Sequence, residues 1–314
     1  MRLGQNPAKS IDKVPQPEEV TVAVVTYIPF LEGYYAESLE VLKVCLNSIR
    51  ENTGLPYDLM VFDNASCPEV RQYLLDIRQK GAIQYLILSD KNVGKGGAWN
   101  FLFQAAPGRV IAYADSDVLF YPGWLKESLD ILKTYPNTGM VTSRPMRTPE
   151  ALFASTLEWA RQNAEVRVDN EVFLAWEDYR EHLVSLGVSE EQALEWYAEG
   201  KDWRLTLNGV TAQIGAAHFQ FAAFKSVLHE FLPFNMDRPM GQVRSLDEQI
   251  NQAGYLRLGT CDVLVRHLGN HLENLREGVL ESSSPKTRQH IYDYPVIKRL
   301  LLKVYDGIFR IYYR

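Results

Sequence analysis

Short apolar segments that alternate with amphipathic segments along residues 20–142 constrain the fold of this chain more than any other feature. Val20–Tyr27 (VTVAVVTY) is rich in β-branched residues, a pattern typical of a strand buried on both faces. Four further strand-like segments follow, separated by segments with helical spacing of apolar residues; they are Tyr57–Phe62, Ile83–Leu88, Val110–Tyr113 and Gly139–Thr142. Alternation at this spacing predicts an α/β fold with a mostly parallel, doubly wound sheet.

Size and charge restrict the class of protein further. The chain has 314 residues, of which 46% are hydrophobic and 23% charged, enough for one large α/β domain or two smaller ones. Its net charge is −6, from 33 basic and 39 acidic side chains, so no nucleic-acid partner is expected. Cys45, Cys67 and Cys261 lie far apart without metal-binding spacing, which indicates buried thiols in a reducing compartment.

The N-terminal segment and the hydropathy of the chain bear on its location. Residues 1–19 are polar, contain three prolines and lack the apolar core of a signal peptide, so we interpret them as a flexible leader. No stretch of about 18 apolar residues occurs, so no membrane-spanning helix is expected. These features predict a cytoplasmic protein.

The character of the sequence changes after Arg147. Pro149–Trp203 has few strand signals and many helix-forming residues, which predicts a helical insertion over the sheet. Strand-like segments return at Leu207–Phe221 and Tyr255–Val265, with two predicted helices between them. The tail, Tyr294–Arg314, is predicted to be helical, with an apolar and a basic side. We weigh peripheral contact with the inner face of an anionic membrane against packing on the domain or on a homodimer partner, and favour packing.

Two carboxylates follow the fourth predicted strand, in the sequence Asp115-Ser116-Asp117. Side chains two residues apart on a strand share a face, so Asp115 and Asp117 would repel each other unless a cation lies nearby. A Mg²⁺ or Mn²⁺ ion bound to a diphosphate would relieve that repulsion. An ordinary polar turn is the alternative, and we favour the metal site.

A glycine-rich segment, Asn92–Ala98 (NVGKGGA), leads into a predicted helix over Trp99–Ala106. Its glycines permit close approach of the backbone to a ligand, and the helix start together with Lys91 and Lys95 offers positive charge to an anion. The segment lacks the Gly-Lys-Ser/Thr ending of a P-loop. An anion-binding loop and a flexible lead-in to the helix therefore both remain open.

Taken in order, these motifs resemble the nucleotide-sugar-binding half of GT-A glycosyltransferases, most like family two. The segments that carry the resemblance lie within residues 21–147; they are VAVVTY, CLNSIRENT, MVFDNAS, KNVGKGGAWN, VIAYADSDV and YPGWL. The resemblance implies a GT-A, Rossmann-like α/β fold with a mostly parallel central sheet flanked by helices, a helical insertion and a C-terminal helical tail. The implied segments are a leader (1–19), a nucleotide-sugar-binding half (20–147), the insertion (148–206), an acceptor-binding and catalytic half (207–272) and a C-terminal helical segment (273–314).

The resemblance also implies a donor site for a nucleoside-diphosphate sugar bound through Mn²⁺ or Mg²⁺, with a UDP-sugar favoured over a GDP-sugar. Within this site Asp63 would hydrogen-bond the base, Asp115 would contact the ribose or a metal-bound water, and Asp117 would bind the metal. The residues implied to contact the nucleotide are Thr26, Tyr27, Asp63, Asn92, Gly94, Lys95 and Asp115. The chain departs from the family at Ile28, where members often have Asn.

In the second half, the order Asp247-Glu248, Gly254-Tyr255 and His267 resembles the family's acidic pair, Gly-aromatic pair and His. An inverting transferase needs a carboxylate to accept the proton of the acceptor hydroxyl, and the resemblance assigns this role to Asp247, or to Glu248. His267 would be a third metal ligand, beside Asp115 and Asp117. Gln213, His218 and Gln220 lie upstream and are candidates for hydrogen bonds to sugar hydroxyls, although a structural role for His218 is equally open.

The predicted function is metal-dependent, inverting transfer of a sugar from a nucleoside-diphosphate sugar to a hydroxyl of a glycan, lipid-linked or small-molecule acceptor. A retaining GT-A glycosyltransferase would share the donor half but would not need the base at Asp247. A non-catalytic nucleotide-sugar or glycan-binding protein is the alternative from another class. A sugar-1-phosphate nucleotidyltransferase is disfavoured, because Thr26–Glu32 lacks the Gly-rich, Arg-containing loop that it needs.

Overall fold

A ten-stranded sheet with helices on both faces dominates the structure, a computed structural model that describes residues 4–236 and 243–272. Within these ranges the strands are β1 (Val20–Thr26), β2 (Asp58–Asn64), β3 (Tyr85–Ser89), β4 (Val110–Asp115), β5 (Val118–Phe120), β6 (Thr138–Thr142), β7 (Arg167–Glu171), β8 (Asp202–Leu207), β9 (Val210–Ile214), β10 (Gln220–Phe224), β11 (Leu256–Gly259) and β12 (Val265–His267).

The α-helices of the same ranges lie between these strands. They are α1 (Ser38–Asn52), α2 (Pro68–Gln79), α3 (Gly94–Ala105), α4 (Trp124–Thr134), α5 (Ala154–Gln162), α6 (Trp176–Ser185), α7 (Glu190–Glu199), α8 (Lys225–His229) and α9 (Val243–Gln252). Short 3₁₀ turns occur at Pro7–Ser10, Gly33–Tyr35 and Glu150–Leu152. None of these helices is long and apolar enough to cross a membrane. The predicted tail, Tyr294–Arg314, lies outside the described residues.

The strand order in the large sheet is β3-β2-β1-β4-β10-β6-β11-β9-β8-β7, and β5 pairs with β12 in a separate two-stranded sheet. The first four strands are all parallel, and β10 is antiparallel to both of its neighbours. Followed across the sheet, the pairings leave seven of the ten strands running in one direction, with β7, β9 and β10 opposed. The predicted α/β fold with a mostly parallel sheet is therefore confirmed.

Alternation along each strand builds a separate apolar layer on each face of the sheet. In β1, Val22 and Val24 pack into the layer formed with α1, α2 and α4, whereas Ala23 and Val25 pack into the layer formed with α3, α8 and α9. Because both faces are covered by helices, every residue of β1 is buried, as its apolar sequence predicts.

Three local predictions need correction. The glycine-rich segment is not a loop before a helix, because α3 already begins at Gly94, five residues before the predicted start at Trp99. The segment predicted as a helical insertion also contains β7, a polar strand at the edge of the sheet, where its charged side chains face solvent. The short pair of β5 and β12 was also missed, because three residues carry too little periodicity to identify a strand.

Candidate active site

The carboxyl ends of the four parallel strands meet along one edge of the sheet. In the strand register, Thr26 at the end of β1 lies beside Asp63, Val25 lies beside Asp115, and Asn64 lies beside Ser89. Strand β10 enters at the same edge, where the Asp115 backbone N–H donates to the carbonyl oxygen of Phe219 over 2.8 Å. Side chains predicted from separate motifs are thereby brought together where ligands bind in open α/β sheets.

Asp115 faces the first turn of α3. The ammonium of Lys95 lies 2.7 Å from a carboxylate oxygen of Asp115, and the Tyr113 hydroxyl donates to the same carboxylate. Burial and the negative charge of Asp115 raise the pKa of Tyr113 well above its ordinary value of 10, so this phenol stays protonated and donating. Lys95 also lies 5.4 Å from the ring centre of Trp99 and 5.6 Å from that of Tyr113.

Asp117 faces the two-stranded sheet instead. His267 in β12 pairs in register with Val118 in β5, which places its Nε2 3.2 Å from Oδ2 of Asp117. The other carboxylate oxygen of Asp117, Oδ1, is buried and has no hydrogen-bond partner among the described residues. An unpartnered buried carboxylate oxygen needs an explanation, and a cation or a water is the usual one.

The imidazole of His267 is held from its other side by the insertion. Nδ1 lies 3.1 Å from the Ser185 hydroxyl of α6, and the ring of His182, also in α6, is 6.5 Å away. Burial disfavours the charged form of His267, but attraction to Asp117 and Asp115 outweighs it, so the pKa of His267 is raised above 6.5. Burial, with the positive charges of Arg144 and His267, lowers the pKa of His182 well below 6.5.

The predicted grouping of Asp115, Asp117 and His267 around one metal is corrected by these contacts. In the part of the chain that the structure describes, no three His, Cys, Asp or Glu side chains come close enough to hold a metal ion. Asp117 and His267 are brought together, but Asp115 turns to Lys95. The strand period used to place both aspartates on one face does not apply, because β4 ends at Asp115 and a turn follows.

Asp63 is the second correction, since its carboxylate has no exposed surface. Its Oδ1 accepts the backbone N–H of Ser66 and its Oδ2 accepts Nε–H of Arg71 in α2 over 3.0 Å. Arg71 also donates to the carboxylate of Asp90 and to the carbonyl oxygen of Ser89. Asp63 is thus placed to fix Arg71 and the turn after β2, and the direct contact with a base predicted for it is not available in this arrangement.

The remaining predicted nucleotide contacts lie around these groups. Thr26 is buried, and its hydroxyl has no partner among the described residues. The Tyr27 ring packs edge-on against Tyr35, with ring centres 6.4 Å apart. The side chain of Asn92 accepts the backbone N–H of Gly94 and a donor from Asn64, so the start of α3 is tied to the end of β2.

The acidic pair on α9 splits in two directions. Glu248 is partly exposed and pairs with Arg244 one turn earlier on the helix. Asp247 is 4% exposed, and both of its oxygens have partners: Arg257 at 2.6 Å and Nδ1 of His218 at 2.7 Å. Neither carboxylate is presented as a free base, which was the role predicted for one of them.

Several contributors to the site were missed from the sequence. Arg257 is fully buried in β11 and pairs with a residue ten positions away, a pairing that only the packing of α9 on β11 creates. Tyr113 was assigned to a strand core, although a hydroxyl two residues before a carboxylate on one strand face is a usable signal. Arg71 and Ser185 lie on helix faces whose polar residues look like ordinary surface.

Part of the chain matches known glycosyltransferase sequences. Residues 33–177 match the family described as Glycosyl transferase family 2, which confirms the resemblance seen in the sequence. An uncharacterized glycosyltransferase from Nostoc sp. (strain PCC 7120) is 25% identical over 100 residues. That match covers 32% of this chain and 31% of the length of the relative.

Solved glycosyltransferase structures resemble the fold more distantly. One is a mannosyltransferase from Pyrobaculum calidifontis in complex with GDP-Man and Mn²⁺, with 16% identity, a TM-score of 0.48, and coverage of 87% of this chain and 68% of that one. Another is GalNAc-T7 with UDP, GalNAc and Mn²⁺, with 14% identity, a TM-score of 0.48, and coverage of 79% and 42%. The resemblance to glycosyl transferase family 2 therefore rests on the sequence match over residues 33–177.

Proposed function

We propose that this chain, whose residues 33–177 carry a glycosyl transferase family 2 match, is a metal-dependent glycosyltransferase that acts with inversion. The donor would be a nucleoside-diphosphate sugar and the acceptor a hydroxyl group. The observation that carries the proposal is the Asp117–His267 pair, placed where the parallel strands end, with one carboxylate oxygen that has no partner within residues 4–236 and 243–272. A mixed carboxylate and imidazole pair suits Mn²⁺, and Mg²⁺ is the alternative.

The residues present fit a divalent cation that the diphosphate helps to bind. Two protein ligands leave coordination positions for phosphate oxygens and water, the usual arrangement for Mg²⁺ in phosphate sites. Asp117 and His267 would hold the cation, and when bound it would neutralise charge that develops on the leaving diphosphate.

Lys95 and the first turn of α3 would bind the diphosphate from the other side. Free backbone N–H groups at the start of a helix, together with the partial positive charge there, favour a phosphate group. The Lys95 ammonium is already held in the site by Asp115 and lies within reach of an anion that approaches this turn. Asp115, oriented by Tyr113, would then accept a hydrogen bond from a ribose hydroxyl.

The base would bind beside Tyr27 and Arg71. Asp63 would contribute to binding of the base indirectly, by holding Arg71 and the turn at Ser66 in place. The resemblance favours a UDP-sugar over a GDP-sugar, and because Asp63 does not contact the base directly in this arrangement, both donors belong in the test.

One observation favours the retaining alternative. Inversion needs a group that accepts the acceptor proton, and the carboxylate oxygens of Asp247 are both occupied by Arg257 and His218. The configuration of the anomeric carbon in the product distinguishes the two mechanisms directly.

A donor panel tests the proposal. Purified protein is incubated with UDP- and GDP-sugars and Mn²⁺, with and without a chelator, and release of nucleoside diphosphate is measured. The proposal expects turnover of at least one donor that the chelator abolishes, with an inverted product. Absence of turnover and of nucleotide binding across the panel would contradict it.

A further inference from the structure

We propose that His218 is the catalytic residue that accepts the proton of the acceptor hydroxyl, and that buried Asp247 and Arg257 are positioning residues that orient it. This inference rests on the proposed glycosyl transfer. It assigns the proton to a different side chain from the carboxylate pair that the sequence indicates.

The three side chains differ in how much of their surface is exposed. Arg257 is fully buried, the Asp247 side chain is 5% exposed, and the His218 side chain is 32% exposed. Of the three, only the imidazole therefore presents substantial surface to a substrate. The Asp247 carboxylate is almost fully buried and each of its oxygens already accepts a hydrogen bond, so the partly exposed imidazole is the better placed of the two to meet an acceptor hydroxyl.

The hydrogen bonds define which nitrogen is free. An ionised carboxylate only accepts hydrogen bonds, so Nδ1 of His218, 2.7 Å from Asp247, carries the proton of the neutral imidazole. Nε2 then holds the lone pair, and it has no hydrogen-bond partner among the described residues. The hydrogen bond made by Nδ1 thus determines whether Nε2 carries a proton, as in other His–carboxylate pairs.

Arg257 fixes Asp247 as the ionised acceptor. Its guanidinium donates to Oδ1 of Asp247 and to the carbonyl oxygens of Leu152 and Ala216. Burial lowers the pKa of Arg257 below its ordinary value, while the charge of Asp247 opposes that effect. The guanidinium therefore stays charged and compensates the buried carboxylate, which would otherwise be costly to ionise.

His218 lies next to the donor residues. It precedes Phe219, whose carbonyl oxygen accepts the backbone N–H of Asp115, and the turn around it is tied by Thr142 to Ala217. Helix α9, which carries Asp247, packs in the same apolar layer as Trp99 and Tyr113, beside Lys95. The imidazole of His218 and the Asp115–Lys95 pair therefore lie at the same end of neighbouring strands and on the same face of the sheet.

The proposed step balances in protons and electrons. The acceptor oxygen forms a bond to the anomeric carbon, the bond from that carbon to the diphosphate oxygen breaks, and the diphosphate leaves with the bonding electron pair. The hydroxyl proton passes to Nε2 of His218. The resulting imidazolium is stabilised by the carboxylate of Asp247 at Nδ1.

A comparison of two nucleophiles tests this role without a known acceptor. Water must lose a proton when it attacks a donor, whereas azide has none to lose. We expect His218→Ala to slow hydrolysis of the donor found in the panel by about 10²–10⁴-fold, the usual contribution of a positioned base. Formation of the glycosyl azide should stay at the wild-type rate, and added imidazole should restore part of the hydrolysis.

His229→Gln serves as the matched control, because among the described residues the His229 side chain bonds only to the carbonyl oxygen of Phe103, near the end of α3 opposite Lys95. His218→Gln keeps a donor toward Asp247 and gives a second variant if His218→Ala fails to fold. Equal losses with water and azide in the folded variant, or an unchanged rate of hydrolysis, would overturn the role of His218. No turnover by the wild type would instead overturn the proposed function itself.

Discussion

Two aspartates only two residues apart have different partners at this site. Asp115 is neutralised by Lys95 and bonded by Tyr113, whereas Asp117, beside His267, keeps one oxygen without a partner in the part of the chain that the structure describes. Their repulsion, which the sequence predicts to be relieved by a shared cation, is thus relieved in part by a protein ammonium. We infer that the two carboxylates have separate roles, one toward the ribose and one toward the metal.

Lys95 provides the first prediction. Replacing it with Met removes the positive charge beside the start of α3, so the affinity for UDP or GDP should fall about tenfold or more, since hydrogen bonds to charged groups contribute about 1.5–3 kcal/mol. Calorimetric titration of the nucleotide measures this. Lys126→Met is the matched control, because Lys126 is also 2.7 Å from an aspartate but lies on the exposed face of α4. Equal affinities of the two variants would contradict the role of Lys95.

At the scale of elements, the glycine-rich segment illustrates what a local pattern can and cannot tell. The glycines of this segment predict close approach of the backbone to a ligand, and in the structure Gly94 is buried with a positive φ. The sequence does not show, however, that α3 begins at Gly94. The bond between Asn92 and Asn64 from β2 fixes that start. This hydrogen bond joins two residues that are far apart in the chain, so helix propensity alone cannot predict it.

Gly94 provides the second prediction. Its φ of +70° is unfavourable for a side chain, so Gly94→Ala should lower the free energy of unfolding by about 1–2 kcal/mol and also weaken nucleotide binding. Gly187→Ala is the control, since Gly187 has a φ of +83° with open space around it but lies in the insertion. Urea denaturation should show similar losses for both variants, and nucleotide titration a loss for Gly94→Ala alone. Unchanged nucleotide affinity in Gly94→Ala would count against α3 as the diphosphate site.

Helix α6 provides the third prediction, which concerns pH. The pKa of His182 is lowered well below 6.5, so below pH 6.5 the unfolded chain binds a proton that the native protein does not, and stability falls as the pH drops. The raised pKa of His267 acts in the opposite direction, because its contribution is present below pH 6.5 and is lost as the pH rises through the raised value.

His182→Leu isolates this effect. Nδ1 of His182 has no hydrogen-bond partner among the described residues. Replacing the imidazole with the leucine side chain therefore breaks no hydrogen bond at that nitrogen. We expect the variant to lose about 1 kcal/mol less stability than the wild type between pH 7.5 and pH 5.5, measured by urea denaturation. An identical pH dependence for His182→Leu would show that His182 is not held neutral.

For the whole molecule, the sequence predicts the architecture better than the site. The parallel half was predictable because each strand is buried on both faces and carries a continuous apolar run, as in β1 and β4. The ends of those strands indicated the edge of the sheet at which the structure brings Thr26, Asp63 and Asp115 together. The side-chain partners were less predictable, because Asp63–Arg71 and Asp247–Arg257 depend on packing between elements.

The second half of the chain completes the site in a way that its sequence alone does not show. β12 brings His267 to Asp117, α6 supports that imidazole, and α9 places Asp247 behind His218. The predicted insertion therefore contributes Ser185 and His182 beside His267, on one side of the proposed metal site.

The central claim is that Asp117 and His267 bind a divalent cation together with a nucleoside diphosphate. Electron paramagnetic resonance of free Mn²⁺, titrated with protein in the presence of UDP or GDP, measures this without requiring turnover. We predict that the wild type and the surface control Asp130→Asn reduce the free Mn²⁺ signal, and that Asp117→Asn weakens this binding at least about tenfold, since losing even a group that orients a metal ligand costs about 10–100-fold. Equal Mn²⁺ binding by Asp117→Asn and the wild type would contradict the account.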